Sequence, residues 1–213
     1  MFNEVNLKPA QCARNLGVVL DNNLTMTQHI NNICRASSYG LYKIGKIRQF
    51  LNQNITERLI HAFVMSHIDN CNGLLYGLPD SLLVKLQRIQ NSAARLITRT
   101  RSHEPISPVL YNLHWLPVKQ RIIFKLLVTT FKCKHGLAPQ YLQELIQNYC
   151  PARNLRSGSR NLLTPFSATT KTYGQRAFQV ASPKLWNSLP NNIKESSSLE
   201  QFKSILKTYL FAK

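Results

Sequence analysis

Apolar residues recur at helical spacing in separate stretches of this chain. That periodicity leaves little room for any architecture but packed helices. In 28–51 the apolar positions are Ile30, Ile33, Cys34, Leu41, Ile44, Ile47 and Leu51. In 81–99 they are Leu82, Leu86, Ile89, Ala93 and Leu96, and in the tail Leu199, Phe202, Leu206, Tyr209 and Leu210. Steps of three and four put such residues on one side of a helix, and that side must be buried against a neighbour. A stretch opening at Pro117 is apolar over most of its circumference, with Ile123, Phe124, Leu127, Val128 and Phe131. A helix of that kind belongs at the centre.

Punctuation sets the ends. Asp21-Asn22-Asn23 reads as a turn, and Thr25 or Thr27 as the cap of the first helix. NITE (54–57) reads as a capping box with Asn54 at the cap, opening a helix over 55–69. NGLLYGLP (72–79) reads as a loop, and the proline-punctuated HEPISPVL (103–110) ends the helix over 81–99. His135-Gly136 stops the Pro117 helix, and a short helix follows Pro139. SSLE (197–200) is a second capping box. Trp186 lies in a segment that Ser182-Pro183 opens and Leu189-Pro190 closes. Its apolar area marks it, like Trp115, as a core anchor. Before the first helix, VNL and NLGVVL read as short strands. The class expected is mainly α with a minor β element.

The exposed sides carry one sign of charge. The first helix sets Arg35, Tyr39, Tyr42, Lys43 and Lys46 opposite its apolar side. The third carries Lys85, Arg88, Arg95 and Arg99 along one flank. A face that serves solubility alone mixes both signs. Over the 213 residues, 27 Lys and Arg stand against 9 Asp and Glu, a net charge of +18. Such a field attracts polyanions, nucleic acid first. The stretch 150–172 adds Arg153, Arg156, Arg160 and Lys171 without an acid, and Arg176 follows. Cations interleaved with aromatics suit a phosphate backbone and stacked bases.

Several chemistries lack their residues. Asp21, Asp69 and Asp80 are the only aspartates, and no two carboxylates are adjacent. A two-metal phosphoryl-transfer centre needs clustered carboxylates. There is no Gly-rich phosphate loop and no Gly-x-Ser-x-Gly elbow. His61, His67 and Cys71, or Cys133 with His135, fall short of a zinc set, so they read as ordinary packed or surface residues. The five scattered cysteines fit reduced thiols inside a cell. MFNEVNLKPAQ does not have the pattern of a secretory leader, and IIFKLLVTTF is too short to span a bilayer. The expectation is an intracellular protein, nuclear or cytoplasmic, with no cofactor, no membrane and no small-molecule substrate.

Seven segments stand in a characteristic order: NLGVVLDNNLTMTQHI (15–30), SHIDNCNGLLYGLP (66–79), LQRIQNSAARLI (86–97), LHWLPVKQRIIFKLL (113–127), GLAPQYLQEL (136–145), RAFQVASPKLWNSLP (176–190) and FKSILKTYLF (202–211). In these the chain resembles the C-terminal part of the reverse transcriptase polyprotein of non-LTR, LINE-type retrotransposons of the jockey and chicken-repeat kind. The resemblance covers almost the whole chain. It implies a helical thumb-like bundle with a small N-terminal β element and a helical C-terminal extension. The divisions are an end-of-palm element over 1–24, a thumb-like region over 25–102, an extension over 103–149 and a basic C-terminal region over 150–213. The palm carboxylates of that family have no counterpart here, so no catalytic residue carries over, and the zinc knuckle of some relatives is missing. The role implied is non-catalytic: sequence-tolerant binding of RNA or an RNA–DNA duplex by its backbone. A translated retroelement remnant without function, or a structural and protein-interaction module, is the alternative.

Overall fold

In the computed structural model, which describes residues 10–150, 161–170 and 172–212, the chain opens with an antiparallel hairpin. Strand β1 (Cys12–Asn15) pairs with β2 (Val18–Asp21), Asn15 facing Val18. The two turn residues, Leu16 and Gly17, both have positive φ, 47° and 86°. A two-residue hairpin needs that geometry to match the twist of its strands. The stretch NLGVVL is therefore the end of one strand, a turn and a second strand, not a single strand; β1 ends at its first residue, Asn15. The VNL strand expected over 5–7 lies outside the described residues.

Helix α1 (Thr27–Ile47) starts from a left-handed Met26, whose side chain makes no cap. Thr25 does the capping from one residue further back, its hydroxyl accepting from the Thr27 N–H at 3.3 Å. A 3-10 turn (Arg48–Phe50) ends this passage. Helix α2 (Gln53–Ile60) is capped by Asn52, whose side-chain oxygen accepts from Ile55 N–H at 2.8 Å. The box expected at Asn54 therefore sits two residues too late. A π-helical turn (His61–Met65) joins α2 to α3 (Ser66–Asp69). It presses onto α1 where Gly40 stands. A Cβ on Gly40 would come within 3.0 Å of the Phe63 carbonyl, so a helix-weakening glycine is kept there for close approach.

Helix α4 (Asp80–Thr98) lies beside α1 and runs in the same direction. Lys85 meets Asn31 near one end, and the Arg48 guanidinium meets the Leu96 and Ile97 carbonyls at the other. Short α5 (Ser107–Asn112) starts within the proline-punctuated HEPISPVL and runs past it, with a proline tolerated in its first turn. Helix α6 (Val118–Lys134) follows Pro117. Its entry is held by α4: Gln87 accepts from Val118 N–H at 2.8 Å, and Gln90 donates to the Leu116 carbonyl at 2.9 Å. Its exit is a Schellman motif. Gly136 N–H bonds the Cys133 carbonyl and Leu137 N–H the Lys132 carbonyl, as expected at His135-Gly136.

The C-terminal part comprises α7 (Gln140–Gln143), α8 (Phe178–Asn187), α9 (Asn191–Lys194) and α10 (Leu199–Phe211). Helix α8 begins at Phe178, well before Ser182-Pro183, and carries Pro183 inside it. Trp186 is fully buried and donates from Nε1 to the Asn161 carbonyl at 2.8 Å. The cap of α10 is Ser198, one residue later than expected. Its hydroxyl accepts from Gln201 N–H at 3.2 Å, and the Gln201 side chain reaches back to Ser197.

Two apolar clusters result. The first gathers residues of β2, α1 to α5 and the start of α6, including Trp115. The second gathers the rest of α6 with Leu163, Trp186, Leu189 and the inner face of α10. Helix α6 runs through both, as its near-uniform hydrophobicity requires. Among the described residues, no helix is long and apolar enough to cross a membrane.

Candidate nucleic-acid interface

The inner face of α1 is His29, Ile30, Ile33, Ser37 and Ile44. At about 100° per residue, Arg35, Tyr39, Tyr42, Lys43 and Lys46 fall on the opposite side. All five are exposed. Lys43 Nζ lies 4.4 Å from the centre of the Tyr39 ring, and Lys46 Nζ lies 4.6 Å from that of Tyr42. Each ammonium is drawn to a ring face by the ring's quadrupole, worth about 0.5–1 kcal/mol at such exposure. The spacing of four in both pairs sets rings and cations in one row along the helix.

Helix α4 adds two more exposed cations. Lys85 and Arg88 are exposed. Lys85 Nζ donates to Asn31 Oδ1 at 3.0 Å. It lies beside Cys34, whose thiol pKa burial pushes up while the Lys85 charge acts the other way. Arg35 and Arg88 have no hydrogen-bond or ion-pair partner among the described residues. Asp80 is the one carboxylate on either helix, and Lys119 holds it at 3.1 Å. The outer face of the parallel pair therefore carries a single sign.

Other expected residues are occupied elsewhere. The Arg95 guanidinium donates to the carbonyls of Arg101 and Glu104, the latter at 2.9 Å, and closes the loop after α4. Arg99 sits in the left-handed region with φ 57°, and its Nη2 reaches the Arg48 carbonyl at 3.5 Å. Arg176 spends its guanidinium on the carbonyls of Leu24 (2.9 Å), Tyr76 (3.2 Å) and Leu74 (3.4 Å), fastening the chain before α8 to the first cluster. Arg153, Arg156, Arg160 and Lys171 lie outside the described residues. The expected residues left exposed on these two helices without a carbonyl or carboxylate partner are thus Arg35, Tyr39, Tyr42, Lys43 and Lys46 on α1, Lys85 beside them through Asn31, and Arg88 on α4.

One functional-looking cation escapes the sequence altogether. Arg48 is buried and donates to the carbonyls of Leu96 (2.7 Å), Leu51 (2.7 Å) and Ile97 (2.8 Å). It caps the end of α4, where carbonyls lack helical partners. Nothing in the local pattern separates it from its exposed neighbours.

The carboxylates and metal candidates have structural work. Backbone N–H of Thr25 is the main cause holding the Asp21 carboxylate below its usual pKa, with Met26, Asn23 and the Thr25 hydroxyl assisting against partial desolvation. Asp69 pairs with Arg121. His61 packs edge-on to Trp115 at 5.3 Å, and His135 stacks on Phe131 at 4.1 Å. Among the described residues, no group of three His, Cys, Asp or Glu could hold a metal ion. Comparison with protein-family models, curated proteins and solved structures finds no match to this chain.

Proposed function

We propose that this chain is the non-catalytic C-terminal part of a non-LTR retrotransposon reverse transcriptase. On this reading it grips the backbone of an RNA or RNA–DNA duplex with the outer face of α1 and α4. The observation that carries the reading is the row of cations and exposed tyrosines along two parallel helices, free of acid. From Arg35 to Lys46 that row runs about 17 Å along α1, enough to meet a few phosphates of one strand. Backbone contacts position a protein without reading sequence, so the binding is sequence-tolerant. The separate structural partners of Asp21, Asp69 and Asp80 support a role without phosphoryl-transfer chemistry.

The test is titration of a labelled RNA–DNA duplex at several salt concentrations. Affinity falls steeply with salt, because each neutralised phosphate releases counterions. The triple variant Lys43→Gln, Lys46→Gln, Arg88→Gln keeps helix propensity and lowers the log–log slope by about 0.9 for each phosphate it no longer neutralises. The weakening is equal on unrelated sequences. An unchanged slope in the triple variant, or no salt-dependent binding at all, overturns the reading and leaves the remnant or the protein-interaction module.

A further inference from the structure

A different group of elements encloses a second cationic feature. Between the start of α6, the later half of α10 and the turn after α3 lies a cavity of about 330 Å³, at the small end of the range for ligand sites. Its one carboxylate is already matched. Arg121 Nε donates to Asp69 Oδ1 at 2.9 Å and Nη2 to Oδ2, a bidentate pair. Lys125 follows Arg121 by one turn of α6 and shares its face, while Lys207 enters from α10. Neither ammonium has a hydrogen-bond or ion-pair partner among the described residues. The cavity therefore holds two cations beyond charge balance.

Two further observations narrow what would fit. Leu116 and Phe124 give the cavity an apolar wall. Asn72, only 6% exposed, also lines it, and its side-chain carbonyl oxygen meets no donor among the described residues. Its amide nitrogen donates to Asp69 Oδ1 at 3.4 Å, which ties this wall to the Arg121 pair. The lip is His114, exposed and held at φ 54° by its N–H to the Tyr111 carbonyl, a backbone state unusual for a side-chain-bearing residue.

We propose that this cavity is a phosphomonoester site. The phosphate sits between Lys125 and Lys207, and the sugar or base lies on Leu116 and Phe124. The ligand is a nucleoside monophosphate, either free or as the phosphorylated 5′ end of an RNA. The site uses no residue of α1 or α4 and stands or falls independently of the proposed duplex grip.

The full chain is titrated with inorganic phosphate, with AMP, and with a short 5′-phosphorylated oligoribonucleotide beside its 5′-hydroxyl twin. Trp115, next to the lip, is the fluorescence reporter. AMP binds saturably and more tightly than phosphate. Lys125→Gln with Lys207→Gln weakens AMP by about tenfold for each ammonium removed, without moving the melting temperature. Lys125→Gln alone, at an exposed position, moves affinity the same way and serves if the double variant melts early. The Lys43→Gln, Lys46→Gln, Arg88→Gln variant binds AMP normally. A gain for the phosphorylated oligonucleotide over its twin, abolished in the Lys125 variant, assigns the site to strand ends; saturation by AMP alone assigns it to free nucleotide. No saturable AMP binding at millimolar concentration, or equal AMP affinity in both lysine variants and the parent, overturns the proposal.

Discussion

Arg48 shows how little one residue's neighbours reveal of its role. It lies in the same basic run as Lys43 and Lys46, yet it is 9% exposed and bound to three carbonyls. Whether a cation faces water or a helix end depends on where the partner helix lies, and one helix's periodicity does not encode that. The same limit hid the carbonyl contacts of Arg95 and Arg176, while the exposed aromatic–lysine side of α1 was legible because it lies opposite a clear apolar side. Replacing Arg48 with Met should lower stability by about 2–4 kcal/mol, since the carbonyls of Leu96 and Ile97 lose charged donors. Urea unfolding measures it; a change under about 0.5 kcal/mol, the size of an ordinary surface effect, would contradict the capping role. His29 supplies a second test. It is buried, its Nδ1 accepts from Val19 N–H at 3.4 Å, and burial holds its pKa below the ordinary 6.5. Burial also lowers His135, helped by Lys134. A depressed histidine is neutral in the fold while the unfolded chain takes up protons first. Their contribution is thus full above pH 6.5 and lost as pH falls below it through the folded values. Urea stability should drop from pH 7 toward pH 5, and His29→Asn should flatten part of that drop. An identical pH profile in the variant would remove His29 as a cause.

Helix α10 is the element whose sequence spoke most plainly. Its apolar stripe at steps of three and four became a face with Phe202, Leu206 and Leu210 buried and Tyr209 half-buried. Phe202 stacks on Phe131 at 4.4 Å and on Trp186 at 5.8 Å, so three separate elements meet at one ring. Phe202→Ala should cost about 3–5 kcal/mol, because the surrounding rings belong to different helices and cannot all collapse into the space. A thermal or urea melt shifted by less than about 1 kcal/mol would mean that α10 is only loosely docked. Elements whose boundaries rest on caps were less legible. Both capping boxes were misplaced by one or two residues, since Asn52 against Asn54 and Ser198 against Ser197 offer the same chemistry to the same helix. Pro183 misled for a related reason: proline suits a first turn, yet α8 carries it inside. Helix α5 was hidden by Pro105 before it and Pro108 within it, and β1 by a hairpin turn whose Leu16 gives no turn signal.

At the scale of the molecule, the question is whether the two apolar clusters are one folding unit. Their boundary falls inside α6, where Val118 and Ile122 belong to the first and Leu127, Val128 and Phe131 to the second. No linker separates them. A helix is a cooperative object, and unwinding half of it exposes backbone hydrogen bonds in the other half. Arg176 adds a second tie, from the segment before α8 to the Leu24, Leu74 and Tyr76 carbonyls of the first unit. The two clusters should therefore unfold together. The chain carries its own reporters, since Trp115 is buried in the first cluster and Trp186 in the second. In Trp115→Phe the remaining indole reports the second cluster, and in Trp186→Phe it reports the first. Each substitution changes stability, so each variant is followed by its indole and by far-ultraviolet circular dichroism, which senses every helix. Within each variant the two probes should give the same midpoint and the same steepness, as a two-state transition requires. Weakening the ties by Arg176→Ala should shift both probes equally in both backgrounds. If the indole of one cluster instead melts ahead of the helical signal, α6 does not transmit stability across the boundary. The clusters are then separate units joined through a helix that frays at its middle.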